Sequence, residues 1–154
     1  MPITWRDALN VGEEDIDSDH RQLVEMINSF EKAISGPQID HKAVARLILG
    51  LFQYTKDHFE REEALQRRIR YPYYESHCKA HRDVIRELHS IIEGYGKLKE
   101  EGRRDAIVRH LASFLRDWLI KHIIESDLRM APYIKEYNRN KTLGSKKPLV
   151  ARVR

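Results

Sequence analysis

The chain has 154 residues, of which 41% are hydrophobic and 34% charged, with a formal net charge of +4 and a mean hydropathy of −0.65. That is one domain's length with enough apolar residues for a core, and its longest apolar run, Leu47 to Phe52, is far short of the ~20 residues that cross a bilayer. A single cysteine, Cys78, excludes an internal disulfide, whereas eight histidines ask for a chemical reason.

Gly36-Pro37, Tyr71-Pro72 and the Gly94/Gly96/Gly102 group divide the chain into four long segments. Residues 1–17, with Trp5, Val11 and Ile16, read as an arm packed on the body formed by those segments. The first segment places His20, Leu23, Ile27, Phe30 and Ile34 at helical 3-4 spacing, with Asp17, Ser18 or Asp19 as the expected N-cap. The second begins near Asp40 and carries Val44, Leu47, Leu51, His58, Glu62 and Leu65 on its stripe. The third begins near Pro72, a residue tolerated in a first helical turn, and carries His77, His81, Leu88 and Ile92. The fourth carries Val108, Leu111, Leu115, Trp118 or Leu119, and His122, and continues toward Ile134. No segment alternates as a strand does. The fold expected is all-α, an up-down-up-down antiparallel four-helix bundle with an N-terminal arm.

Polar residues interrupt the stripes that should be core. The pairs His58/Glu62 and His77/His81 are spaced i, i+4, so each pair shares one helix face. In an antiparallel bundle the start of the first helix, the end of the second, the start of the third and the end of the fourth meet at one end. His20, His58, Glu62, His77, His81 and His122 therefore converge on one half of the bundle, where a divalent metal would satisfy several at once. Burying such groups without partners costs on the order of 1–3 kcal/mol each. A seventh member is Asp127. The stripe through His122 should reach Ser126 but resumes at Asp127, one residue late, and one inserted residue (a π-bulge) between 122 and 127 would turn that carboxylate inward. Seven ligands exceed one tetrahedral zinc, and five imidazoles disfavour calcium and magnesium. Iron, copper, nickel and zinc all suit imidazole with carboxylate. Two six-coordinate ions sharing both carboxylates and a hydroxide would keep one position open for a diatomic or small anion.

The motifs Asp17-x-x-His20, His58-Phe59-x-x-Glu62-Glu63, Tyr71-Pro72 before His77-x-x-x-His81, and His122-Ile123-x-x-x-Asp127 before Ala131-Pro132-Tyr133 resemble those of the hemerythrin family, in its bacterial single-domain form. Trp5 and Val11-Gly12 are similar to that family's arm. The resemblance implies reversible O2 binding at a non-haem di-iron centre for oxygen storage, transport or delivery, and no enzymatic activity. A di-iron peroxidase or oxidase and an O2 or redox sensor are the alternatives. It implies two iron ions per chain, bridged by Glu62, Asp127 and an oxo or hydroxo group. His77, His81 and His122 would sit on the filled iron, and His20 and His58 on the iron with the vacancy. Azide and NO are other small ligands of such a site. Leu119 and Ile123 are the candidates for the apolar lining of the O2 pocket. Two departures stand out: Gln66 where an apolar residue is expected, and the variant start Asp17-Ser18-Asp19-His20.

The remaining polar residues have plainer expectations. His41, His89 and His110 read as satisfied core or surface histidines, Tyr71, Tyr73 and Tyr74 as turn packing, and Tyr54 as a donor behind His58. Cys78 stands where a metalloprotease helix needs Glu, which removes that reading. Residues 139–154 hold six basic residues and no acidic one, so the bundle, expected to span 1–138, is close to neutral. That segment reads as a mobile basic tail offering a contact for an acidic partner. No nucleic-acid partner is expected, because the basic charge is not on the folded body. No apolar stretch follows Met1, which speaks against a secretory signal, and the lone Cys78 suits a reducing cytoplasm; a cytoplasmic protein is expected, and a monomer.

Overall fold

The computed structural model describes residues 2–145, with side chains through Leu143. Helices α1 (Glu14–Ala33), α2 (His41–Arg68), α3 (Tyr74–Lys97) and α4 (Glu101–Glu125) form a four-helix bundle in which each packs against its two neighbours. A fifth helix, α5 (Ala131–Ser145), follows a 3-10 turn at Asp127–Met130, and no strand occurs among the described residues. No described helix is long and apolar enough to cross a membrane. The boundary expected at residue 138 falls inside α5, and residues 146–154 lie outside the described residues.

The start of α1 differs from expectation. Glu13 is the cap, accepting from the backbone N–H of Asp15 at 2.7 Å and of Ile16 at 3.2 Å. Asp17 lies inside the helix and holds the arm instead, accepting from Val11 N–H at 2.7 Å and Gly12 N–H at 3.2 Å. Gly12 adopts φ +95, a left-handed conformation that a side chain would strain, and it brings both N–H groups to one carboxylate. Because the acceptor is charged and buried, Asp17→Ala should remove about 2–3 kcal/mol of stability. Urea unfolding measures this, and a loss under about 0.5 kcal/mol would mean the arm is anchored elsewhere.

Helix α2 begins next to Asp40, near where the sequence places its start, and Asp40 caps it, accepting from Lys42 and Ala43 N–H. The C-terminus of α2 closes with Arg70 at φ 55, Tyr71 N–H reaching Gln66 C=O at 2.9 Å and Arg70 N–H reaching Arg67 C=O at 3.2 Å. This is a left-handed helix stop without the usual glycine. It turns Tyr71 inward. Pro72 and Tyr73 complete the turn, so α3 begins two residues later than expected.

The irregularity expected between residues 122 and 127 exists, but it is not an inserted residue within a continuous helix. α4 ends at Glu125, and Ser126 departs to φ −114, ψ −56 while its N–H still reaches His122 C=O at 2.8 Å. The 3-10 turn then carries Asp127 to the interior, where it is fully buried. A short 3-10 connection reorients the chain without a long loop.

Two apolar clusters result. The larger contains Leu23, Leu51, Leu88, Leu115, Leu119 and Ile123; the smaller contains Val11, Ile16, Leu65, Tyr71, Met130 and Ile134. Along the chain, at each bundle helix, the polar stripe residues fall between a member of one cluster and a member of the other. They form a buried polar layer between the two clusters.

Candidate metal centre

All seven residues singled out from the stripes are buried and adjacent. Glu62, His77, His81 and His122 present ligand atoms within 4.8 Å of one another, and so do His20, His58, Glu62 and Asp127. Glu62 belongs to both groups.

The carboxylates divide their oxygens between the two imidazole sets. Glu62 Oε1 faces Nε2 of His77 at 2.6 Å, His81 at 3.2 Å and His122 at 3.7 Å, while Oε2 faces Nε2 of His58 at 3.1 Å and His20 at 3.5 Å. Asp127 repeats the pattern. Its Oδ1 lies 2.8 Å from His122 and 3.1 Å from His77, and its Oδ2 lies 2.9 Å from His20.

Only one of these approaches is a hydrogen bond, between His77 Nε2 and Glu62 Oε1 at 2.6 Å. The Nε2 atoms of His20, His58, His81 and His122, Glu62 Oε2 and both Asp127 oxygens are buried without a hydrogen-bond partner. Native interiors rarely tolerate so many unsatisfied polar atoms in one place. A divalent cation in each group would satisfy them, and neutral imidazole with carboxylate is a donor set that iron accepts. The residues present fit that group.

The electrostatics agree. Burial opposes a charge on His20, yet the Asp127 and Glu62 carboxylates raise its pKa from 6.5 to about 9. By the same balance His77 rises to about 9, and His122, beside Asp127 and Glu62, to about 10. Burial also opposes the Glu62 and Asp127 carboxylates, but the surrounding imidazoles hold both well below the usual carboxylate range. The two carboxylates thus favour positive charge on the groups that face them.

Groups behind the imidazoles fix their orientation. His58 Nδ1 pairs with Asp19 at 3.0 Å and His81 Nδ1 with Glu63 at 2.8 Å, which leaves each Nε2 free to face inward. The His81 ring stacks on Phe59 with centroids 3.7 Å apart, and His122 stacks on Trp118 at 5.0 Å. Tyr54 is the donor the sequence indicates, but its hydroxyl reaches Asp19 at 2.8 Å rather than His58. Sequence reasoning does not assign Asp19, Arg61 or Glu63 to the site. For Asp19 a signal exists: it lies three residues after Ile16 and four before Leu23, on the buried stripe of α1.

The other named residues are placed as follows. Leu119 and Ile123 are fully buried on α4 around His122, within the larger apolar cluster. Gln66 is buried one turn after Glu62, its amide donating to Met130 Sδ at 3.2 Å. His41 is satisfied at both nitrogens, by Tyr95 at 2.7 Å and Asp105 at 2.6 Å, whereas His89 and His110 are on the surface. Cys78 is buried, and burial pushes its thiol pKa up, away from reactivity.

Residues 11–134 match the family model described as the hemerythrin HHE cation binding domain. The chain is 33% identical to a bacteriohemerythrin of Pseudomonas aeruginosa over 125 residues, covering 81% of this chain and 76% of that protein. It is 30% identical to one from Stenotrophomonas maltophilia over 135 residues, covering 88% and 83%. A crystal structure of a leucine-to-alanine mutant of hemerythrin superposes with a TM-score of 0.71 at 19% identity, covering 85% of this chain and 95% of that one, a likeness of fold.

Proposed function

The chain belongs to the hemerythrin family, and on that premise we propose that it binds O2 reversibly at two iron ions, for storage, transport or delivery. The observation that carries this reading is the split of each buried carboxylate, one oxygen toward the His77/His81/His122 set and the other toward the His20/His58 set. A single closed ion has no use for that arrangement, and a bridged pair needs it. Iron would supply an open coordination position and the electrons for O2, which no side chain offers.

What the chain contributes is asymmetry and dryness. His77, His81 and His122 would hold one ion and His20 and His58 the other, with Glu62 and Asp127 each presenting one oxygen to either set. The ion held by His20 and His58, with fewer imidazoles, would keep the position open to O2. Neutral imidazoles offset less metal charge than carboxylates do, which favours the reduced pair. Leu119 and Ile123, buried on α4 one turn before and next to His122, are the residues this reading assigns to the apolar lining that would exclude water from the bound ligand.

The test is metal analysis with a visible spectrum recorded without oxygen, then in air, then after oxygen removal. Two iron ions per chain and a colour that appears and disappears with O2, without consumption of added peroxide, support binding. Peroxide turnover would favour an enzyme instead. Azide serves as a second probe of the vacancy. Leu119→Ala should leave iron content unchanged and hasten irreversible oxidation of the oxygenated protein by about 10-fold, by analogy with other changes to a metal's surroundings. An unchanged decay rate would remove Leu119 from the pocket.

A further inference from the structure

Asp19 is a buried carboxylate with four hydrogen bonds from three neighbours on α2. His58 Nδ1 is 3.0 Å from Oδ2 and Tyr54 hydroxyl 2.8 Å from Oδ1, while the Arg61 fork donates Nε at 2.7 Å and a terminal nitrogen at 3.0 Å. Glu63, the carboxylate behind His81, has no Lys or Arg ion pair among the described residues and is partly exposed. The two imidazole sets are therefore backed differently. One backing carboxylate is neutralised by a bidentate guanidinium; the other keeps its charge for the histidine it holds.

We infer that Arg61 sets the donor strength of His58 through Asp19, keeping the His20/His58 ion poorer in electrons than its neighbour. This deepens the O2-binding reading and rests on it. A carboxylate that accepts from one imidazole N–H alone pulls strongly on that proton, and the opposite ring nitrogen becomes a better donor. Sharing its lone pairs with a guanidinium fork and a phenol weakens that pull. His58 is then held in the right tautomer and orientation by a partner that pushes little charge through the ring. Arg61 and Asp19 are positioning residues; neither touches the ligand set except through His58. The Arg61 side chain is 43% exposed, so this control is exerted from the surface inward.

Three variants separate this from a merely structural role. Loosening the site would move Asp19→Asn and Arg61→Gln the same way. The proposal moves them oppositely: Arg61→Gln should lower the iron midpoint potential and speed oxidation of the oxygenated protein about 10-fold, and Asp19→Asn should raise the potential and lower metal affinity about 10- to 100-fold. Arg61→Lys keeps the charge but not the fork, and should recover only part of the wild-type potential. In the metal-free chain the His58 Nδ1–H proton resonance should move downfield in Arg61→Gln, a readout independent of iron. Potentials shifting in the same direction, full recovery with lysine, or an unmoved proton resonance would overturn the inference. If instead the wild-type protein takes up iron but shows no reversible colour with O2, the functional reading fails, and the proton resonance still decides the role of Arg61.

Discussion

Glu62→Ala is expected to lose most of its metal: iron retained per chain after anaerobic loading and desalting should fall from about two to well below one. Glu62 is the residue common to both ligand groups, so one truncation removes a donor from each. It also removes one of the two carboxylates that lie among the Nε2 atoms of both imidazole sets, leaving Asp127 alone there to offset two divalent ions. Alanine is the best helix former, and residue 62 sits in the interior of α2, so the helix itself should persist. Circular dichroism of the metal-free variant checks that. Glu63→Ala is the contrast, because Glu63 acts only through His81 Nδ1; its loss should weaken metal binding by about 10- to 100-fold without emptying the site. Retention of two iron ions by Glu62→Ala would refute the bridging assignment.

The candidate ligands are legible because a helix repeats. Four helices with short connections leave few ways to pack, and polar residues at i, i+4 on an apolar stripe then have to meet. His20, His58, Glu62, His77, His81 and His122 follow from that alone. Asp127 requires noticing that a stripe resumes one residue late; the backbone accommodates the shift by ending α4 and inserting a 3-10 turn, a choice that spacing does not specify. The groups behind the ligands are harder to read. Arg61 and Glu63 flank Glu62 and read as ordinary surface charges, since their partners lie on other helices and far away in sequence. Asp19 reads as a cap because Asp near a helix start usually is one. Here Glu13 takes that task a turn earlier, which releases Asp17 for the arm and Asp19 for His58.

The polar layer's position between two apolar clusters explains why these outer contacts matter. Nε2 atoms and carboxylate oxygens that face one another in a buried layer interact strongly. Protons and metal ions would compete for them.

That competition yields the second large effect, opposite pH trends for the metal-free and loaded protein. In the metal-free chain His20, His77 and His122 have folded-state values raised from 6.5 to about 9, 9 and 10. Groups raised on folding stabilise the fold fully below the unfolded value of 6.5, and that contribution is lost as pH climbs through about 9 to 10. The lowered carboxylates act the other way: Glu62 and Asp127 contribute above their ordinary values of 4.5 and 3.8 and lose that contribution only under strong acid. The metal-free protein should therefore be most stable near pH 5–6.5 and weaken steadily toward pH 10. Metal binding requires the same imidazoles neutral, so loading releases protons and tightens as pH rises. Calorimetric melting of both forms at pH 6, 7.5 and 9 should show the gap between loaded and metal-free Tm widening with pH, and an indicator dye should register proton release on loading at pH 7.5. Parallel melting curves, or loading without proton release, would mean that metal does not displace protons from these imidazoles.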